Sequence, residues 1–66
     1  MIYNNVKSLC DEQGLTIMAL EQRAGLANGT VGGWRTAKPM AESLMKVARV
    51  LGTTVDELMR EEEVGV

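Results

Sequence analysis

Sixty-six residues carrying nine acidic and seven basic side chains, for a net charge of -2 and with no histidine, make one small domain and exclude a scaffold large enough to frame a catalytic cleft. The single cysteine, Cys10, excludes an internal disulfide framework and predicts a reducing, cytoplasmic setting. No stretch approaches the roughly 18 apolar residues of a spanning helix, and the opening MIYNNVKSLC lacks the plan of a signal peptide, so no membrane is expected.

Only Tyr3 and Trp34 are aromatic in a chain that is 45% hydrophobic, so the core has to be assembled from Leu, Val, Ile, Ala and Met, which favours packed helices over a sheet. Ile2, Val6, Leu9 and Cys10 recur at helical spacing and predict a first helix over residues 2 to 13, stopped by Gly14. Thr16 reads as the N-cap of a second helix, from about Ile17 to Ala24, which Gly25 closes. Leu26 then leads into a third predicted helix from about Asn28 to Arg35. Ile17, Leu20 and Ala24 fall on one face of the second helix, and Leu26, Val31 and Trp34 continue that apolar face across the turn. Two short helices sharing an inner face across a turn that contains glycine are the signature of a helix-turn-helix.

Thr36, Ala37 and Lys38 connect to Pro39, which keeps the residue before it out of helical conformation. A fourth helix follows from about Ala41 to Leu51, with Leu44, Val47, Ala48 and Leu51 in one stripe and Gly52 just past its end. Thr54-Val-Asp-Glu57 has the form of a capping box and opens a fifth helix that buries Val55, Leu58 and Met59. The expectation is an all-α fold, one compact five-helix domain over residues 1 to 60, followed by an acidic C-terminal tail, 61 to 66. That tail reads equally as a natural terminus or as the start of a linker to a further domain.

Several chemistries are excluded by residue type. Without histidine and with one cysteine there is no metal site of the usual ligands, and no base accompanies a nucleophile in a recognisable motif, so neither an enzyme nor a cofactor is expected. The glycines from Gly25 to Gly33 match neither the dinucleotide fingerprint nor the P-loop. Trp34 and Cys10 lie on apolar stripes and read as core; the methionines read as gap fillers or ordinary surface, and Arg23, Lys46 and Arg49 as solvated charges. The negative total comes from Glu61, Glu62 and Glu63: residues 1 to 60 hold seven basic and six acidic side chains. Between Thr16 and Lys38 the bases Arg23, Arg35 and Lys38 face the lone acid Glu21, a weak basic footprint for a polyanionic partner.

Over residues 2 to 60 the chain resembles the phage lambda repressor-like helix-turn-helix domains of the Cro/C1 type. The resemblance rests on Val6-Lys7-x-Leu9, Gly14-Leu15-Thr16, Leu20, Ala24-Gly25-Leu26, Thr30-Val31, Trp34, Pro39, Leu44-x-x-Val47-Ala48-x-x-Leu51-Gly52 and Asp56-Glu57-Leu58. It implies a sequence-specific transcription regulator, a repressor of phage or mobile-element type, bound as a homodimer to a double-stranded DNA operator with its third helix in the major groove. Carried over by position, Asn28, Gly29, Thr30, Gly32 and Gly33 would lie against the bases. Thr16, the amide of Ile17, Arg35 and Lys38 would meet phosphates, and Leu58, Met59 and Val64 would supply dimer contacts.

Because Val31 and Trp34 point inward, Asn28 and the glycines take the outward face, where Asn28 can pair bidentately with an adenine edge for about 1 to 3 kcal/mol of base discrimination. The glycines depart from the long polar side chains the family carries there, and Ile17 stands where it favours a polar residue. Three glycines in one short helix cost roughly 2 to 3 kcal/mol. Either a bare face admits a closely approaching backbone, or the reading side chains have been lost. The second possibility makes the alternative function a non-enzymatic protein-interaction module on the same fold, holding a protein partner through that bare face or through the methionines.

Overall fold

Helix positions follow the stop signals closely. The computed structural model describes residues 1–60, in which α1 runs Ile2–Gln13, α2 Ile17–Ala24, α3 Ala41–Leu51 and α4 Val55–Met59, with a short 3-10 helix at Gly32–Arg35 between α2 and α3. Among the described residues there is no strand. Gly14, Gly25 and Gly52 close α1, α2 and α3 as expected. Thr16 caps α2, its Oγ1 accepting from the Ala19 amide at 3.0 Å, and Thr54 caps α4 in the same way, accepting from the Glu57 amide at 3.1 Å. The expected capping box is only half made, since the Glu57 carboxylate turns to Arg60, with Nη2 and Oε2 3.0 Å apart.

The helices enclose a core of Val6, Cys10, Leu20, Val31, Trp34, Leu44, Val47, Ala48, Leu51 and Leu58. α3 packs on α2 and α4, while α1 packs on α4, on the 3-10 helix and on α2. Side-chain amides on α1 tie down two helix ends whose carbonyls have no partner within their own helix. Asn5 Nδ2 donates to the carbonyls of Leu58, at 2.7 Å, and Arg60, at 2.6 Å; Gln13 Nε2 donates to that of Leu51 at 2.8 Å.

Two expectations are corrected. The third predicted helix is not an α-helix: residues 28–31 form a turn, and only Gly32–Arg35 is helical, in the 3-10 form. Gly29 causes the break, because its φ of +91° lies in the left-handed region that ends a right-handed helix. Its glycine is therefore at home rather than destabilising, which leaves only Gly32 and Gly33 with a helix penalty. The second correction concerns Leu58, expected at a dimer contact; it is fully buried in the core and presents no surface to a partner. Val64 and the acidic tail lie outside the described residues.

What holds the turn is a buried carboxylate. Glu21 lies on α2 within the apolar stripe of Ile17, Leu20 and Ala24, and it is only 2% exposed. Its Oε1 accepts from the Gly29 amide at 3.0 Å, and its Oε2 accepts from the Val31 amide at 2.7 Å and, more weakly, from that of Gly32 at 3.5 Å. A helix starting at Asn28 would itself leave its first amides, that of Gly29 among them, without a carbonyl partner, and the Ala27 carbonyl that would serve Val31 in an α-helix accepts from Thr30 instead at 3.1 Å. Hydrogen bonds to a charged acceptor contribute about 1.5–3 kcal/mol, and a buried donor without a partner costs about 1–3 kcal/mol. One side chain thus caps the start of the segment.

Replacing Glu21 by Ala is expected to lower stability by about 3 kcal/mol in urea unfolding, a large part of the margin of a domain this small. Glu21→Gln, which retains one acceptor oxygen, should fall between; an Ala variant within about 0.5 kcal/mol of the parent would contradict the assignment. Cys10 generates a second expectation, because burial pushes its thiol pKa up. The folded state then holds a proton that the unfolded state releases as pH rises through the ordinary thiol range, so stability should fall above that range. Cys10→Ala should flatten the alkaline limb of a stability-against-pH curve, and an unchanged limb would contradict the reading.

Candidate nucleic-acid interface

The corner between α2 and the following segment is made by Gly25, whose φ of +72° turns the chain while its amide bonds back to the Gln22 carbonyl at 3.2 Å. Leu26 follows with its amide on the Glu21 carbonyl at 2.8 Å, and its side chain packs against the core. Glu21 therefore acts at both ends of the turn, through its carbonyl at the corner and its carboxylate beyond it. Val31 at 0% exposure and Trp34 at 6% face inward, as their spacing predicts. The bend leaves Asn28, Gly29 and Gly33 exposed and Thr30 and Gly32 half-buried.

Each candidate contact residue has a definite place. Asn28 stands at the rim of a small hollow walled by Met18, Glu21, Gln22 and Leu26, with its side-chain amide free for pairing among the described residues. Thr16 is exposed, and because its oxygen accepts the cap bond, its hydroxyl proton remains free for an external acceptor. Ile17 is half-buried against the core, so only its backbone amide, in the first turn of α2, faces an incoming anion. Arg35 is exposed. Its Nε donates to the Gly32 carbonyl at 3.2 Å, and its guanidinium carbon lies 5.5 Å from the centre of the Tyr3 ring.

Lys38 is also exposed but borders a different feature, an open apolar groove lined by Ile2, Pro39, Leu44, Met45, Val55 and Met59. Met59, the second residue expected at a dimer contact and also expected to be buried by its helix, is instead 52% exposed, in that groove. Met18, Met40, Met45 and Met59 are all more than half exposed, so gap filling is not their role.

The electrostatics of this face differ from the residue count. Glu21 is enclosed by amide donors, whereas Arg23, Arg35 and Lys38 are exposed, so the outer surface from Thr16 to Lys38 presents cations alone. Glu21 and Tyr3 are the two residues of this region whose parts residue spacing does not predict. A signal existed for the first: a carboxylate inside an apolar helical stripe has to be paired or hydrogen-bonded. Nothing in the local sequence around Tyr3 points to Arg35.

The glycines carry a definite steric message. A Cβ built on Gly32 or Gly33 meets nothing within 4 Å, so no neighbouring part of the chain requires their small size. Gly32→Ala and Gly33→Ala should each raise stability by about 0.4–1 kcal/mol, whereas Gly29→Ala should lower it because φ there is positive. Thermal unfolding of the three variants checks this, and loss of stability at position 32 or 33 would contradict it.

The comparison with known proteins agrees with this geometry. No curated protein matches the chain in sequence. A family of Cro/C1-type HTH DNA-binding domains matches residues 5–62, taking in α2, the turn, the 3-10 helix and both later helices. With a match across nearly its whole length, and an all-helical fold to go with it, the chain belongs to the Cro/C1-type HTH DNA-binding domain family.

Proposed function

We propose that this DNA-binding domain regulates transcription as a sequence-specific repressor of phage or mobile-element type, with α2 and the segment through Arg35 as its helix-turn-helix. The carrying observation is the locked turn: Glu21 holds residues 29–32 by their amides while Asn28 stands free beside them. In this reading the turn and the 3-10 helix enter the major groove. Asn28 pairs with an adenine edge and Thr30 offers a hydroxyl nearby, while the bare backbone at Gly29, Gly32 and Gly33 follows the groove without reading it. The Thr16 hydroxyl, the Ile17 amide, Arg35 and Lys38 take phosphates.

So few contacts per subunit favour a dimer on a two-fold operator. The groove beside Lys38 supports that reading, because Met45 and Met59 expose apolar surface at one edge of the domain where a second copy can cover it. In this reading the domain works in the cytoplasm, a reducing setting in which Cys10, free and buried, stays a thiol; no helix among the described residues is long and apolar enough to cross a membrane.

The test is a fluorescence anisotropy titration with duplex DNA from upstream of the chain's own coding sequence, at low salt. Binding is expected to be saturable and to weaken steeply with salt. Asn28→Ala should cost about 1–3 kcal/mol on the specific site and little on unrelated DNA, while Lys38→Gln should weaken both alike and reduce the salt slope by about 1. Equal losses on both duplexes for Asn28→Ala, or no binding at tens of micromolar, would contradict the proposal.

A further inference from the structure

Resting on the DNA-binding reading, we infer that Tyr3 is a positioning residue for that function: its ring holds the Arg35 guanidinium in place to meet a phosphate. Tyr3 lies in the first turn of α1, far in sequence from the helix-turn-helix, and is half-buried against the core, so its ring is anchored. The Arg35 guanidinium carbon sits 5.5 Å from the ring centre, within the range over which the negative face of an aromatic ring attracts a cation. The same guanidinium is fixed along a second direction by the bond from Nε to the Gly32 carbonyl. Together these contacts use the ring-facing side and Nε, and they leave both terminal amino groups without a partner among the described residues.

A free arginine on an exposed surface samples many rotamers, and ordering it at the moment of binding opposes association. An arginine already held by a ring and a carbonyl loses less of that freedom, and its planar fork suits a phosphate oxygen pair. The carbonyl partner belongs to Gly32, whose amide is held by Glu21. The arginine is therefore tied to the same turn that presents Asn28, and α1 contributes to the interface without itself touching DNA.

The test measures affinity and salt dependence on a mixed-sequence duplex for the parent, Tyr3→Phe, Tyr3→Leu, Arg35→Gln and the double variant Tyr3→Leu/Arg35→Gln. Arg35→Gln is expected to reduce the salt slope by about 0.9, the loss of one phosphate contact. Tyr3→Leu should weaken binding about threefold to fivefold with the slope retained, Tyr3→Phe should bind as the parent does, and Tyr3→Leu should have no further effect once Arg35 is gone. Without DNA, the ring-current displacement of the Arg35 side-chain proton resonances should persist in Tyr3→Phe and vanish in Tyr3→Leu. Equal weakening by Tyr3→Leu in both backgrounds would show a general loss of structure and overturn the inference, as would an unchanged slope in Arg35→Gln. Either result, with parent binding intact, leaves the DNA-binding reading standing. Failure of the parent to bind any duplex overturns both.

Discussion

A buried carboxylate accepting hydrogen bonds from the backbone amides of Gly29 and Val31, and more weakly of Gly32, is the interaction on which the candidate interface depends. The segment from Ala27 to Arg35 is too rich in glycine to hold an α-helix by propensity, and with Gly29 left-handed the amides of Gly29 and Val31 have no backbone carbonyl partner. A charged acceptor delivered from α2 supplies what the missing carbonyls do not. It also ties the segment to α2 at the point where Val31, whose amide donates to it, enters the core. Burying a carboxylate is costly unless donors surround it, and here the donors are the very groups that need an acceptor.

Much of this was legible from spacing and stop signals. The four α-helices lie where the apolar stripes, the two threonine caps and the closing glycines place them, and the inward turn of Val31 and Trp34 follows from their separation of three. The third helix was not legible in its true form. Positions of apolar residues say which face is buried but not whether the backbone between them is α, 3-10 or turn, and Gly29 decides that through a φ value no pattern records. The last helix divides differently: Leu58 is buried as its stripe predicts, which removes it from a dimer contact, whereas Met59, expected to be buried with it, faces outward one position on. The contact between Tyr3 and Arg35 spans 32 positions and belongs to tertiary packing alone.

The arrangement divides labour among few residues. Family membership makes this a DNA-binding domain, and the surface proposed to meet DNA carries one side-chain amide, Asn28, among three glycines that offer only backbone. Nothing in the chain crowds Gly32 or Gly33, so the packing of the core does not require their small size. Stability is contributed elsewhere, by the ten-residue core and by the side-chain amides of Asn5 and Gln13 that close the ends of α4 and α3.

The central claim, that the Glu21 carboxylate holds the turn, is tested most directly by native-state hydrogen exchange at the amides of residues 29 to 32 in the DNA-free protein. The account predicts that the Val31 amide, with the shortest bond to Glu21 and complete burial, exchanges as slowly as the amides of α2 and α3. Exchange of Val31 at the rate of an unstructured peptide, while α2 and α3 remain protected, would contradict it.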